Sequence, residues 1–552
     1  MSSRSGGSPA MGSRSALLDL VRPGGPGEFL LTGAYHTPSG HLHLGHLGGP
    51  FLSADVLGRH LESLGHRVRR IGCTDAHEAY VLYAAELEGR PPGAVASAYA
   101  STARAALAGF DMHYDSFLDF SDFRWRQSYH DVCHRIAEGM LQGGRLTVAS
   151  PSLPLGRSGR FVIGPFALGL CPACGAGAAG TSCEDCGMWF GPDELREVRP
   201  RFERDAIVAW KEVPTAYLQI SGELTAEAVA ARFPRGCGEL LERFLARGGR
   251  RMHLSHPLGW GVPWKAQDLG REVVHVSYGT GSYAAAVVIG EEYRRLAGAE
   301  ASPFHRDSEV TTILTGGVDA ALPSMLLMAF ADERSGFDPF RANVVNRFML
   351  LDGEKFSTTR KHVILGSDYL EAGLSPDPFR LYAARISRLG EEADFTVSGF
   401  SRWALDFLAG RLDPLCATAL GELAGAGEPP ALQADEAERI AAALVEQAAF
   451  LVPPEVDLSR AAAVIEEWVG SGEGGMAAAA PYWWLKALCV LAYPFTPRWS
   501  GGLWRRLGEA GIPAVERLER GAPVRQWAYE GFDGLEAARL ARLDRRGEGD
   551  DG

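Results

Sequence analysis

Residues 28–65 read EFLLTGAYHTPSGHLHLGHLGGPFLSADVLGRHLESLG, and the fold turns on them. The apolar run at 28–35 ends in turn residues and predicts a buried strand. Pro38-Ser39-Gly40 predicts a turn, and from His43 apolar residues recur at helical spacing as far as Gly65. A second run, RVRRIGCTDAH at 67–77, predicts another strand. Strand, glycine turn, helix and strand make a βαβ unit, which implies an α/β fold with a parallel, doubly wound sheet. Strand-like runs return at 272–279 and 309–317.

The turn His41-Leu42-His43-Leu44-Gly45-His46 has three physical readings: a metal site, a satisfied core turn and a phosphate cradle. A metal site needs a third ligand, and the local sequence has none. In a phosphate cradle the free N–H groups at the start of the helix attract an anion. Gly45 would let a flat base lie against the backbone. His43 and His46, three residues apart, share one side of the first turn and could donate to phosphate oxygens.

The chain has 552 residues, 46% of them hydrophobic, enough for three or four domains with real cores. Its net charge of −13 argues against non-specific gripping of nucleic acid. No apolar run reaches membrane-spanning length. Four of the nine cysteines stand in two pairs, Cys171-Pro-Ala-Cys174 and Cys183-Glu-Asp-Cys186. This spacing suits a tetrahedral thiolate zinc site and a reduced compartment rather than a disulfide framework. Four thiolates close the coordination shell, so such a zinc would be structural. Further on, Lys355-Phe356-Ser357-Thr358-Thr359-Arg360 follows an Asp352-Gly353 turn and forms a second candidate phosphate loop.

In order along the chain, the histidine turn and the Lys355 loop resemble the HIGH and KMSKS signatures of class I aminoacyl-tRNA synthetases. IGCTDAH at 71–77, LGWGVPW at 258–264, GGVD at 316–319 and LAYPFTPRWSGGLWRRLG at 491–508 resemble further segments of methionyl-tRNA synthetase. The cysteine pairs resemble that family's zinc knuckle. The resemblance implies a catalytic α/β domain in two halves, 26–125 and 256–366, separated by an inserted domain at 126–255 with its knuckle at 171–186. A linker or stem-contact region at 367–399 and a helical bundle resembling the anticodon-binding domain at 400–545 would follow. The Ser/Gly-rich 1–25 and the acidic 546–552 are expected to be irregular tails, and the protein to be cytoplasmic.

By the same resemblance, His43, His46, Lys355 and Ser357 act on ATP while an amino acid carboxylate attacks the α-phosphorus. Ser39, Gly40, Gly45, Thr358, Arg360 and Asp319, the last at the ribose, would bind the nucleotide with its Mg2+. Asp75 would hold the substrate ammonium, with Tyr35, Ser277, Tyr278, Ala320 and Ser324 around the side chain. Cys171, Cys174, Cys183 and Cys186 would hold Zn2+.

Three positions depart from the family pattern. Thr358 replaces the second lysine of KMSKS, with Arg360 or Lys361 able to compensate. Ser277 stands where a tryptophan is usual, and 320–324 lacks the usual aromatic residue and histidine. The bundle shows no counterpart of the anticodon-reading Asn and Arg, and 401–500 carries 6 basic against 13 acidic side chains. These departures suggest a divergent paralogue that does not prefer methionine. Its acceptor would be a small amine, a hydroxylamine or a carrier. Methionyl-synthetase-like proteins of specialised metabolism resemble this case, passing an amino acid to an N-hydroxylated amine while a separate cupin partner forms an N–N bond. The alternative is a genuine synthetase charging tRNA.

Overall fold

The computed structural model describes residues 16–544 apart from 221–223, 249, 266–273, 277, 331–335, 359, 425–427, 527 and 533. Five strands form its central sheet: β1 Glu28–Thr32, β2 Arg67–Cys73, β3 Ser116–Leu118, β4 Thr311–Gly317 and β5 Ala342–Asn346. Their spatial order is β5-β4-β1-β2-β3, and every neighbouring pair is parallel. Helices cover both faces, so Leu30, Leu31, Ile71, Cys73 and Ile313 are buried and the strands read as apolar runs rather than alternations. Chain order reverses between β1 and β4, and in such sheets ligands bind beyond the carboxyl ends of the strands at that point.

The helix expected from His43 to Gly65 is two helices, Leu44–Leu47 and Pro50–Ser63. The break falls at Gly48-Gly49, where a Cβ on Gly48 would lie 2.6 Å from Met349 Cε and Pro50 opens the second helix. The inserted region carries small antiparallel sheets, but the boundary expected at 125/126 lies inside helix Phe123–Gln142. That helix packs against helix Tyr278–Ala297, which leads back into the parallel sheet, so the insertion and the sheet domain share an element. Val274–Val276 is a strand, as expected, yet it pairs antiparallel with Ser255–His256 and Val262–Trp264 outside the parallel sheet. The segment 1–25, expected to be irregular throughout, contains helix Ala16–Val21. Leu17 and Leu18 are buried in the core shared with the helical region, an apolar pair that the Ser/Gly-rich composition around it conceals.

From Val397 to Arg506 the chain is mainly helical. Trp468 and Trp484 tie two of these helices together, each indole N–H donating to the other residue's carbonyl at 3.1 Å. Among the described residues no helix is long and apolar enough to cross a membrane.

The sheet and helical regions share one continuous apolar core, and a fully buried cation stitches them together. Arg380, in helix Pro376–Ile386, is fully buried. Its guanidinium donates to Asp55 Oδ2 at 2.6 Å and to the carbonyls of Pro494, Phe495 and Phe110 at 2.9, 3.0 and 3.1 Å. Arg380→Met would leave Asp55 only its partner Arg59, at 2.7 Å, and would leave three carbonyls without their donor. Denaturant titration should show a loss of about 3–5 kcal/mol, the scale for breaking one side of a buried pair, and a change below about 1 kcal/mol would refute the assignment.

Candidate functional site

The two phosphate-loop candidates meet. The Leu44 N–H donates to Ile364 O at 3.0 Å and the Gly366 N–H to Leu42 O at 2.9 Å, so the chain leaving the Lys355 loop is laced to the histidine turn. The His43 and His46 rings stack at 3.7 Å, and Phe356 lies parallel to His43 at 4.6 Å. A Cβ on Gly45 would lie 3.0 Å from both His43 Nδ1 and Phe356 Cδ2, closer than ordinary carbon contacts. The glycine requirement therefore sits at Gly45; a Cβ on Gly40 would meet nothing within 4 Å.

Both imidazoles are held neutral. Burial, and then His46 beside it, pushes His43 down to about 2. The walls around His46 push it down to about 4, although its edge is open to the cleft. The His43 N–H donates to His46 Nδ1 at 3.3 Å, which leaves the proton of neutral His46 on Nε2. His46 Nε2–H is thus available as a donor in the cleft.

The strand ends supply the carboxylates. The Asp75 N–H donates to His36 O at 2.7 Å and the His36 N–H to Cys73 O at 3.1 Å, which sets Asp75 just past β2. Burial pushes Asp75 up to about 7. Glu78 rises to about 8, first from burial and then from the charge of Asp75, while it accepts the Tyr80 N–H at the head of helix Ala79–Glu88. Asp75 and Glu78 line one cavity with His77, Tyr129, His253 and His256. Tyr35 lies near enough for Asp75 to help raise its hydroxyl, after burial. Asp319 opens helix Val318–Leu326 just past β4, and its carboxyl is raised by burial and then by Glu184.

The Lys355 loop is a tight bridge, with Ser357 N–H donating to His362 O at 2.8 Å and His362 N–H to Ser357 O at 3.0 Å. Ser357 Oγ accepts the Arg360 N–H at 3.3 Å. Thr358 O accepts the N–H of Lys361 at 3.1 Å. The Arg360 side chain pairs with Glu354 at 3.1 Å and Lys355 Nζ with Glu184 and Asp185 at 3.2 and 3.1 Å. Of the expected side-chain pocket, Ser277 lies outside the described residues and Tyr278 begins the helix Tyr278–Ala297. Ser324 Oγ donates to Ala320 O at 2.8 Å, so its hydroxyl serves its own helix. Ser39 N–H donates to Thr37 O at 2.8 Å within the turn before the histidines. Phe356, Glu78 and the acids at 184 and 185 were not among the expected site residues. Phe356 carries a sequence signal only as an apolar residue inside a polar loop.

The four cysteines come together, their sulfurs all within 4.8 Å of one another. Cys171–Cys186 and Cys174–Cys183 stand at 3.8 and 3.7 Å, the edge of about 3.8 Å that a tetrahedron with metal–sulfur bonds of about 2.3 Å requires. Two equivalent turns build it: Gly175 N–H donates to Cys171 O at 3.0 Å and Gly187 N–H to Cys183 O at 2.9 Å, with both glycines at positive φ. The cluster therefore fits one zinc ion.

A parallel sheet interrupted by a knuckle-bearing insertion, with a histidine turn on its first crossover and a helical region behind, defines a class I aminoacyl-tRNA synthetase architecture. The chain belongs to the family of tRNA synthetases class I (M), whose model matches residues 29–277 and 318–414. A methionine–tRNA ligase of Methanopyrus kandleri is 25% identical over 394 residues, covering 68% of this chain and 56% of that protein. One of Kineococcus radiotolerans is 25% identical over 433 residues, covering 72% and 70%. The chain thus spans little more than half the length of the first of these relatives. A Mycobacterium tuberculosis methionyl-tRNA synthetase structure in complex with methionyl-adenylate superposes with a TM-score of 0.64 at 16% identity, over 90% of this chain and 97% of that one, a likeness of fold.

Metal analysis of the purified chain should find about one zinc per molecule. Cys174→Ser should lower both zinc content and melting temperature. Full thiol titration of a zinc-free, equally stable protein would refute the site.

Proposed function

We propose that this protein condenses ATP with an amino acid to an aminoacyl-adenylate and pyrophosphate, and then transfers the acyl group to an acceptor. One observation carries the reading: the histidine turn and the Lys355 loop close on each other beside the carboxyl ends of β1, β2 and β4. The carboxylate oxygen of the amino acid would attack the α-phosphorus while pyrophosphate leaves. His46 Nε2–H would donate to phosphate oxygens as charge builds. Lys355 and Ser357 would meet the outer phosphates with their Mg2+, and Asp319 the ribose. Asp75 would pair with the substrate ammonium. The Mycobacterium tuberculosis neighbour was solved with an adenylate of the class proposed here.

Domain roles follow the same reading: the two sheet halves bind and react, the insertion carries the zinc, and the bundle supports them. Ala320 and Ser324, where the family carries larger side chains, would leave a roomier and more polar pocket that favours a polar amino acid, or a small one if Tyr278 or Tyr283 fills the gap, over methionine, whose thioether needs apolar walls.

For the acceptor, a small amine, a hydroxylamine or a carrier is favoured over tRNA, with any N–N bond formation left to a separate cupin partner. The support is electrostatic. Of the six basic side chains in 401–500, Lys486 is fully buried against Glu509, and Arg411, Arg439 and Arg498 are paired with Glu473, Asp435 and Asp111. RNA binding needs cations free to meet phosphate. The second reading, charging of tRNA, is favoured by the relatives, which are methionine–tRNA ligases. Aminoacylation of total tRNA, run beside acyl transfer to small amines and hydroxylamines, separates the two. Deacylation-sensitive label on tRNA would overturn the small acceptor.

ATP–pyrophosphate exchange, screened over the amino acids, tests the activation step. His46→Ala should slow it by roughly tenfold to a thousandfold, the scale of one lost transition-state donor; an unchanged rate would refute the assignment. The pH dependence follows from Asp75. Its folded pKa is raised, so the carboxyl is neutral below about 7 and cannot pair with an ammonium. KM for the amino acid should therefore fall by about tenfold per pH unit as pH rises towards 7, and level off above it. Asp75→Asn should raise KM and flatten that profile, and a profile that Asp75→Asn leaves unchanged would assign the titration elsewhere.

A further inference from the structure

The residues between the second pair of knuckle cysteines have no work to do for the metal. Four thiolates complete a tetrahedral shell. The turn is held by its backbone, Gly187 N–H to Cys183 O at 2.9 Å and Cys183 N–H to Met188 O at 2.8 Å, whatever stands at 184 and 185. The first turn, built the same way, carries the uncharged Pro172 and Ala173 at the equivalent places. Yet the second turn carries Glu184 and Asp185, and both reach Lys355. Its Nζ lies 3.2 Å from Glu184 Oε2 and 3.1 Å from Asp185 Oδ1, across 170 or more residues of chain.

The pair is partly exposed, with side-chain exposures of 36% for Lys355 against 59% and 52% for the acids, so its contribution to stability is small. Its consequence is one of position. An ammonium held by two carboxylates has its charge engaged already. Glu184 also reaches Asp319, helping to raise that carboxyl, so the knuckle turn stands between the phosphate loop and the start of the second crossover helix. The contact of Gly187 with Val318, whose carbonyl would lie 3.3 Å from a Cβ at that glycine, sets the turn against that helix.

We propose that Glu184 and Asp185 are positioning residues that hold Lys355 on the knuckle in the nucleotide-free protein, so that ATP must compete with them for the lysine. The inserted domain thereby sets the affinity of the phosphate loop. A triphosphate carries more negative charge than the two acids and can displace them. This inference rests on the reading of Lys355 as a phosphate ligand.

The test is a double-mutant cycle on the full zinc-loaded chain, reading the Kd of Mg-ATP by calorimetry together with zinc content. Glu184→Gln/Asp185→Asn should tighten ATP binding by about threefold to tenfold, the scale of freeing one exposed ion pair with two partners. Zinc content and the KM for the amino acid should not change. In a Lys355→Ala background the same double substitution should leave Kd where it was, a result that a merely structural role for the acids would not produce. Lys355→Ala alone should weaken ATP binding. If it does, and the double variant binds ATP no tighter than the parent, the competition is overturned while the phosphate reading stands. If Lys355→Ala leaves Kd unchanged, the phosphate reading fails and the competition falls with it.

Discussion

The arrangement of this molecule depends on how one buried guanidinium is satisfied. Arg380 has no access to solvent, and a charge in that position is tolerable only with a counter-charge and a full set of acceptors. Those acceptors come from three places: Asp55 on the first crossover helix, Phe110 at the end of another helix, and Pro494 with Phe495 in the helical region. Burial opposes ionisation of Asp55, but Arg59, Arg380 and Arg70 hold it down to about 2. No segment can shift far without exposing an unpaired group, so the sheet and the helical region are fixed together. The strand Met349–Leu351 enters the Lys355 loop and pairs with Ala393–Phe395, close to the helix that bears Arg380, so the phosphate loop inherits that rigidity.

The chemistry of the site follows from a shared desolvation acting on groups of opposite sign. The same walls that disfavour protonated histidine disfavour ionised carboxylate. His43 and His46 are thereby neutral hydrogen-bond donors rather than standing cations, and Asp75 and Glu78 are poised near neutrality. Lys355 is already engaged on the knuckle. The site carries little free positive charge of its own: its histidines are neutral donors, and Lys355 is already paired.

Much of this was legible in the chain. The βαβ unit was readable because strands buried on both faces must be continuously apolar, and because glycine and proline punctuate the crossover. The knuckle was readable because two short turns with paired thiols have few other uses. The elements misread were those in which a distant contact overrides a local pattern. Position 48 is glycine because Met349, far away along the chain, occupies the space a side chain would need, and the crossover helix breaks at the next glycine, before Pro50. Helix Ala16–Val21 forms because Leu17 and Leu18 find a core that their own segment does not contain.

What the sequence alone determined is therefore the class of fold, the order of the two candidate phosphate motifs, and the four cysteines that cluster, all of which express short-range rules of spacing and residue type. The tertiary structure decided which groups stand beside one another. That Phe356 stacks on His43 and occupies the space over Gly45, that Glu78 joins Asp75 in one cavity, and that the acids of the knuckle hold Lys355 are relations between segments far apart in the chain. They have no period and no motif, because side-chain stacking, desolvation and ion pairing depend on distances in space that only the packed core sets.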